Sequence, residues 1–236
     1  MNQSIKRTMA IFQKDYKDFT KNLYVSSMIF LPLFLAAFYG RMGVQSLDMV
    51  FMVFNLTLTV IAAFTQSALI AEEKEKNTLR GLMLSPAGTG EILIGKSLVS
   101  FLISAIVLIF SAFLIGYQPE NALLIVAALF VSILFYLGIG TLLGLITRSV
   151  MEASVAILPV LLFFSFSSFA VQLSDEYPIL KVAEYLPNSQ LVDLGYAVQN
   201  GAGFGDGWAA LLIITAWTIG VSALVVAVYQ KKMVDK

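Results

Sequence analysis

The run Gly90-Glu-Ile-Leu-Ile-Gly95-Lys96-Ser97 satisfies the phosphate-cradling pattern GxxxxGK[ST] letter for letter. In a nucleotide site that pattern follows a buried strand. Its glycine-rich loop turns backbone amides toward phosphate oxygens, and a helix starts behind it. Here the variable positions carry bulky Ile92, Leu93 and Ile94, and the run leads straight into a long apolar stretch. No apolar strand ending in Asp is available in a soluble context to hold magnesium. The segment reads as the opening of a membrane helix, and nucleotide binding by this chain is not expected. A second group, Glu72, Glu73 and Glu75, could bring carboxylates together around cations. Lys74, Lys76 and Arg80 are interleaved with them, so a solvated charged face is the simpler reading. The chain has no His and no Cys. That removes imidazole acid–base chemistry, thiol nucleophiles, thiolate zinc sites and disulfides. No catalytic arrangement and no metal site emerge, and the chain is not expected to be an enzyme.

What must position these charges is a very apolar chain. Hydrophobic residues make up 58 % and charged residues 13 %, against roughly 25 % charged in a soluble domain, and the mean hydropathy is +0.85. The apolar residues gather into stretches about 20 residues long, the length needed to cross a bilayer. The expected fold is an all-α membrane protein. Residues 1–21 form an amphipathic helix, spans cover 22–40, 49–71, 92–117, 121–147, 150–171 and 207–230, residues 72–91 form a loop, and residues 172–206 form an external amphipathic or re-entrant segment. Of the 15 Lys and Arg residues, only Arg41 and Lys181 fall on the side opposite the termini. The positive-inside rule then makes both termini cytoplasmic, in a multi-pass protein of the cell membrane. The first span follows a long basic segment and lacks a small-residue cleavage site, so it reads as a retained span. A net charge of zero gives no indication of a nucleic-acid partner.

Within the leader, Ile5, Met9, Phe12, Tyr16, Phe19 and Leu23 share an arc of about 80° at helical spacing. Lys6, Arg7, Lys14, Lys17, Lys21, Asp15 and Asp18 occupy the rest. Such a helix lies in the membrane interface, as an anchor or as an elbow that also meets a cytoplasmic partner. The second span carries Asn55, Thr59 and Gln66 on one face, for hydrogen bonds between helices or for a substrate path. Gly140 and Gly144 put small residues on one face of the fourth span, where another helix can approach closely. The fifth span combines Pro159 with Phe163, Phe164, Phe166, Phe169 and three serines. Packing is its default, and Phe163 and Phe166 could also line a route for an amphiphile. Arg148 and Glu152 are spaced as a helix-surface ion pair. Deep charge is missing from every span, so any transport draws its energy from outside this chain.

One stretch is recognisable as a whole. Glu73-Lys-Glu-Lys-Asn-Thr78-Leu79-Arg80-Gly-Leu82-Met-Leu84-Ser85-Pro86, followed by Glu91-Ile-Leu-Ile-Gly95-Lys96, resembles the signature loop of ABC-2-type transporter permeases. The basic leader, the six spans and the short external helices with Pro187 and Asp193 are similar to that family too. The resemblance implies a non-catalytic permease that pairs with a separate ATP-binding subunit, which would hold ATP and magnesium. It also implies assembly as a dimer, two permeases with two ATPases. A coupling helix would touch the ATPase through Glu72, Glu73, Lys74, Glu75, Thr78, Leu79, Arg80, Leu82, Met83 and Ser85. Phe12, Lys14, Tyr16 and Lys17 would belong to a connecting helix. Asn55, Thr59, Gln66, Phe163 and Phe166 would face the substrate path. Ala87-Gly-Thr-Gly90 departs from the basic residues often found there. The expected function is export of a hydrophobic or amphiphilic compound, such as a drug, an antimicrobial peptide or a lipid. A non-transporting sensor or immunity subunit for a membrane-active peptide stands as the alternative.

Overall fold

The structure, a computed structural model, describes residues 3–43, 46–172 and 177–234. Its elements are α1 (Gln3–Lys21), α2 (Leu23–Ser27), α3 (Phe30–Met42), α4 (Leu47–Thr57), a π-helical turn (Leu58–Phe64), α5 (Thr65–Glu75), α6 (Thr78–Met83), α7 (Thr89–Ile115), α8 (Ala122–Ile146), α9 (Val150–Gln172), a 3-10 segment (Pro178–Tyr185), α10 (Pro187–Gln199) and α11 (Phe204–Val234). No strand occurs among the described residues.

Local chemistry sets the breaks. Asn22 starts α2 by accepting the Val25 N–H through its side chain at 3.2 Å. The helix is interrupted between Ser27 and Phe30 because Pro32 has no N–H to offer the Met28 carbonyl. Gly116 ends α7 at φ +78°, a left-handed conformation that costs glycine nothing. Asn77 takes the same region at φ 56°, as asparagine can, and so turns the chain from α5 into α6. Glu152 forms no ion pair with the Arg148 side chain among the described residues, contrary to expectation. Its carboxylate accepts the Arg148 backbone N–H at 2.7 Å and so satisfies an orphan donor ahead of α9.

Among the described residues five helical segments are long and apolar enough to cross a membrane: Leu23–Met42, Leu47–Glu75, Thr89–Ile115, Ala122–Ile146 and Phe204–Lys231. The sixth expected span corresponds to α9, whose fully described apolar part, Val150–Phe164, is shorter. Residues 173–176, at the start of the expected external segment, lie outside the described residues.

The segment Leu47–Glu75 is the most buried of these helices. Its 29 residues reach about 43 Å at 1.5 Å each, against about 30 Å of hydrocarbon, so its last turn projects past the apolar zone. The glycines of α8 let it lie against this helix. A Cβ on Gly140 would sit 2.2 Å from the Ala63 carbonyl oxygen, and one on Gly144 would sit 2.8 Å from that of Ser67. The backbones are in contact, and the close approach expected of this glycine pair is found beside the π-helical turn.

The two ends of the bundle differ. At one end Phe51 and Phe54 at the start of the second span meet Tyr117 after α7, with ring centroids 5.9 and 5.8 Å apart. There α10 packs its Gly195 on the Phe51 ring, and Gly207 of α11 fits between Leu124 and Leu194. At the other end Ile11 of α1, Ile70 of α5, Leu79 of α6, Ile92 of α7, Leu145 of α8 and Tyr229 of α11 form one buried cluster. The first and last helices therefore finish together.

Replacing Gly140 by Leu is expected to lower the thermal stability of the purified protein in detergent by an amount at or above the ~1–3 kcal/mol typical of overpacking. Gly220→Leu, at a position with nothing within 4 Å, should stay within about 0.5 kcal/mol. Equal melting shifts for the two would refute the backbone contact.

Candidate functional site

The end of the bundle where α1 and α11 meet is held by the last turn of α5, whose charges engage different elements. Glu72 accepts from the Asn22 side chain at 3.1 Å and pairs with Lys76. Glu73 lies between Lys14 of α1 and Lys96 of α7. Lys74 donates to the carbonyls of Gly144 (3.4 Å), Leu145 (2.7 Å) and Thr147. These are the orphan acceptors at the C-terminal end of α8, where a cation also meets the negative pole of the helix. Glu75 accepts the Val150 N–H at 3.3 Å, placing an anion at the positive start of α9. Alternating charge thus matches the alternating polarity of the helix ends around it.

The buried centre of this arrangement is Asp15, Glu73 and Lys96, only 1 %, 4 % and 2 % exposed. The Lys96 ammonium is 3.4 Å from Asp15 and in direct contact with Glu73. Lys14 adds Asp15 at 3.5 Å and Asp18 at 3.2 Å. Burial pushes the Asp15 carboxyl above the usual carboxylate range, against the pull of Lys96. For Lys14 burial is the largest single influence and pulls downward, but Glu73, Asp15 and Asp18 together hold its ammonium above the usual lysine range.

The helix α1 reaches this position because α7 makes room for it. A Cβ on Gly95 would fall 2.9 Å from Ile11 and 3.0 Å from the Thr8 carbonyl. Glu91 accepts the Gly88 N–H at 3.1 Å and pairs with Arg7 at 3.6 Å. The whole phosphate-loop lookalike after Thr89 is α-helical, so its amides point along the helix and Lys96 is committed to two carboxylates. Asp15, expected among the headgroup-facing polar residues, is turned into the protein. The signal was present in the spacing: Ile11, Asp15 and Phe19 fall four apart, all are buried, and a carboxylate centred on such a stripe needs a cation opposite.

The remaining expected coupling residues are divided. Leu79 is buried in the terminal apolar cluster and Leu82 packs at its edge. Thr78 is exposed and donates to the Glu73 carbonyl at 3.3 Å, and Ser85 accepts the Ala87 N–H at 3.3 Å. Arg80 and Met83 sit on α6, with side chains outside the described residues. Leu84, just past α6, is 79 % exposed. On α1, Phe12 stacks on exposed Tyr16 with centroids 6.4 Å apart, and Lys17 is exposed. Of the residues assigned to a substrate path, Asn55, Thr59 and Gln66 are buried inside the chain. Gln66 donates to Ser97 (3.3 Å) and Thr141 (3.1 Å), joining α5 to α7 and α8, and Thr59 donates to the Asn55 carbonyl at 2.9 Å. Phe163 faces outward, and the Phe166 side chain lies outside the described residues.

Lys96→Met leaves Asp15 and Glu73 buried with a single cation. The expected cost is about 3–5 kcal/mol, against about 0–1 kcal/mol for Lys76→Met at the exposed pair with Glu72. A carboxyl held above its usual range stabilises the fold at low pH and loses that contribution as pH rises through its folded value. The Lys96→Met deficit, read from melting curves in detergent, should therefore be smallest near the ordinary Asp value of 3.8 and grow as pH is raised. A deficit independent of pH would contradict the cluster.

The family described as ABC-2 family transporter protein matches residues 2–229. No curated protein matches the sequence. Members of the family are transporter membrane subunits, and membership implies in general a partner ATP-binding subunit. The chain belongs to the ABC-2 family of transporter proteins as a multi-pass membrane subunit.

Proposed function

We propose that this chain is the permease of an ATP-driven exporter, working as a dimer with two separate ATP-binding subunits that hold ATP and magnesium. It moves a hydrophobic or amphiphilic compound out of the cell. The observation that carries the reading is the division of labour in the charged segment. Glu72–Glu75 are consumed inside the chain, tying α5 to α1, α7, α8 and α9, while α6 and Leu84 project from the same end. A force on α6 is thereby delivered to the ends of several membrane helices at once. The docking surface is accordingly the exposed part of this end formed by Lys76, Asn77, Thr78 and Leu84, and Glu73 acts behind it.

The chain ends support six crossings. Tyr229 of α11 and Ile11 of α1 share one cluster, and a chain that starts and finishes on one side crosses an even number of times. α9 supplies the sixth crossing. Its 23 residues reach about 34 Å, it starts beside Glu75, and its Phe164 carbonyl accepts from Asn188 of α10 at 2.6 Å. The excess of Lys and Arg at the α1 end supports a cytoplasmic position for that end.

The absence of cysteine permits a clean test. Leu84→Cys and Leu123→Cys, the latter exposed near the opposite end, are each tagged with a photo-crosslinker in cells. Leu84→Cys is expected to capture a nucleotide-binding subunit identified by mass spectrometry, and Leu123→Cys is not. Capture from Leu123→Cys alone would invert the orientation, and capture from neither would remove the coupling assignment.

A further inference from the structure

A groove of about 480 Å³ opens on the outside of the bundle between α7, α8 and α11. Its walls belong entirely to three of the segments long and apolar enough to cross a membrane, so whatever fills it comes from the bilayer. Phe101 and Phe130, edge to face at 5.5 Å, stand at its mid-bundle end. Toward the α1 end it stops above the Ile92, Leu145 and Tyr229 cluster.

The polar atoms of the groove define its chemistry. No charged side chain lines it. Thr141 and Thr218 donate back to their own helices, to Leu137 and Ile214, both at 2.8 Å. Ser97 accepts from Gln66 and has its own proton uncommitted, and Ser222 on the facing wall has no hydrogen-bond partner among the described residues. The groove therefore offers hydroxyl donors on an apolar wall. That combination suits an uncharged acceptor, an ester or amide carbonyl, attached to an alkyl chain, and it leaves any charged headgroup outside the groove. In size the groove holds on the order of sixteen water-sized groups, which matches one alkyl chain. Ser97 and Thr141 are both bonded to Gln66, so the groove is continuous with α5, the helix that ends in Glu72–Glu75.

We propose that this groove loads the transported compound, a single-chain amphiphile with an uncharged carbonyl next to its chain, from the leaflet at the α1 end. The inference rests on the transporter reading and names its substrate class. Because the groove is outside the buried Asn55–Thr59–Gln66 stripe, it is an entry position and not the crossing path.

The test uses the full chain in phosphatidylcholine nanodiscs with trace lysophosphatidylcholine carrying a mid-chain diazirine. Photolabel should concentrate in residues 93–101 and 218–226, compete with unlabelled lysolipid, and fall in Ser222→Trp to the level seen on outward-facing α3. Ser97→Ala should weaken competition by the ester lipid about threefold to tenfold, the effect of one hydrogen bond, while an ether analogue without the carbonyl is unchanged. Label spread evenly over α3, α9 and the groove, or indifferent to Ser222→Trp, would mean that bilayer lipid occupies it and would overturn the proposal. Saturable labelling without a Leu84→Cys cross-link leaves the groove intact and removes transport. The cross-link without saturable labelling removes only the groove.

Discussion

A lysine placed beside the apolar core must be neutralised, and much of this structure follows from how Lys96 is. Moving an unpaired ammonium out of water costs several kcal/mol, a large share of what a folded chain has to spare. Lys96 is almost wholly buried, and its charge is answered by Asp15 from α1 and Glu73 from α5. These partners come from segments far apart in sequence. Satisfying one cation therefore fixes the leader helix, the long second span and the start of α7 against each other. Lys14 completes the balance, since two buried carboxylates need more than one cation nearby.

The same requirement explains why the second span is long. A helix that stopped with the hydrocarbon would leave Glu72–Glu75 no room beyond it. By running past, α5 brings alternating charges level with the C-terminal carbonyls of α8 and the first N–H groups of α9. The pairing is mechanical as well as electrostatic: helix ends bound to one turn move with it. Backbone contact at Gly140 and Gly144 extends that rigidity toward the middle of the bundle, where the π-helical turn interrupts the regular hydrogen-bond ladder.

Legibility differed by kind of interaction. The apolar stretches and the close approach at the glycine pair of α8 were readable because each depends on composition or spacing within a few residues. The family was readable because the order of Glu, Leu, Ser-Pro and Gly-Lys in residues 73–96 is specific. The charged residues were harder. Glu73, Lys74 and Glu75 look alike in a one-dimensional reading, as members of a wet loop. Asp15 looks like any other polar residue of an amphipathic helix, although its four-residue spacing from Ile11 and Phe19 marked an inward stripe. The leader helix presents two neighbouring faces, one to the bilayer and one to α7, and a single amphipathic arc describes only the first.

Composition and spacing by themselves determined that this chain is helical, lives in a membrane, carries no His or Cys chemistry and gathers its charge at one end. Those properties follow from hydrophobic burial and helix periodicity, which act over one turn to one span. Only the tertiary structure decided which charges are spent inside and which remain for a partner. That choice depends on distances between residues such as Asp15, Glu73 and Lys96, set by how α1, α5 and α7 pack. Electrostatic cost is felt at a few ångströms in space, and the sequence records those ångströms only after the chain has folded.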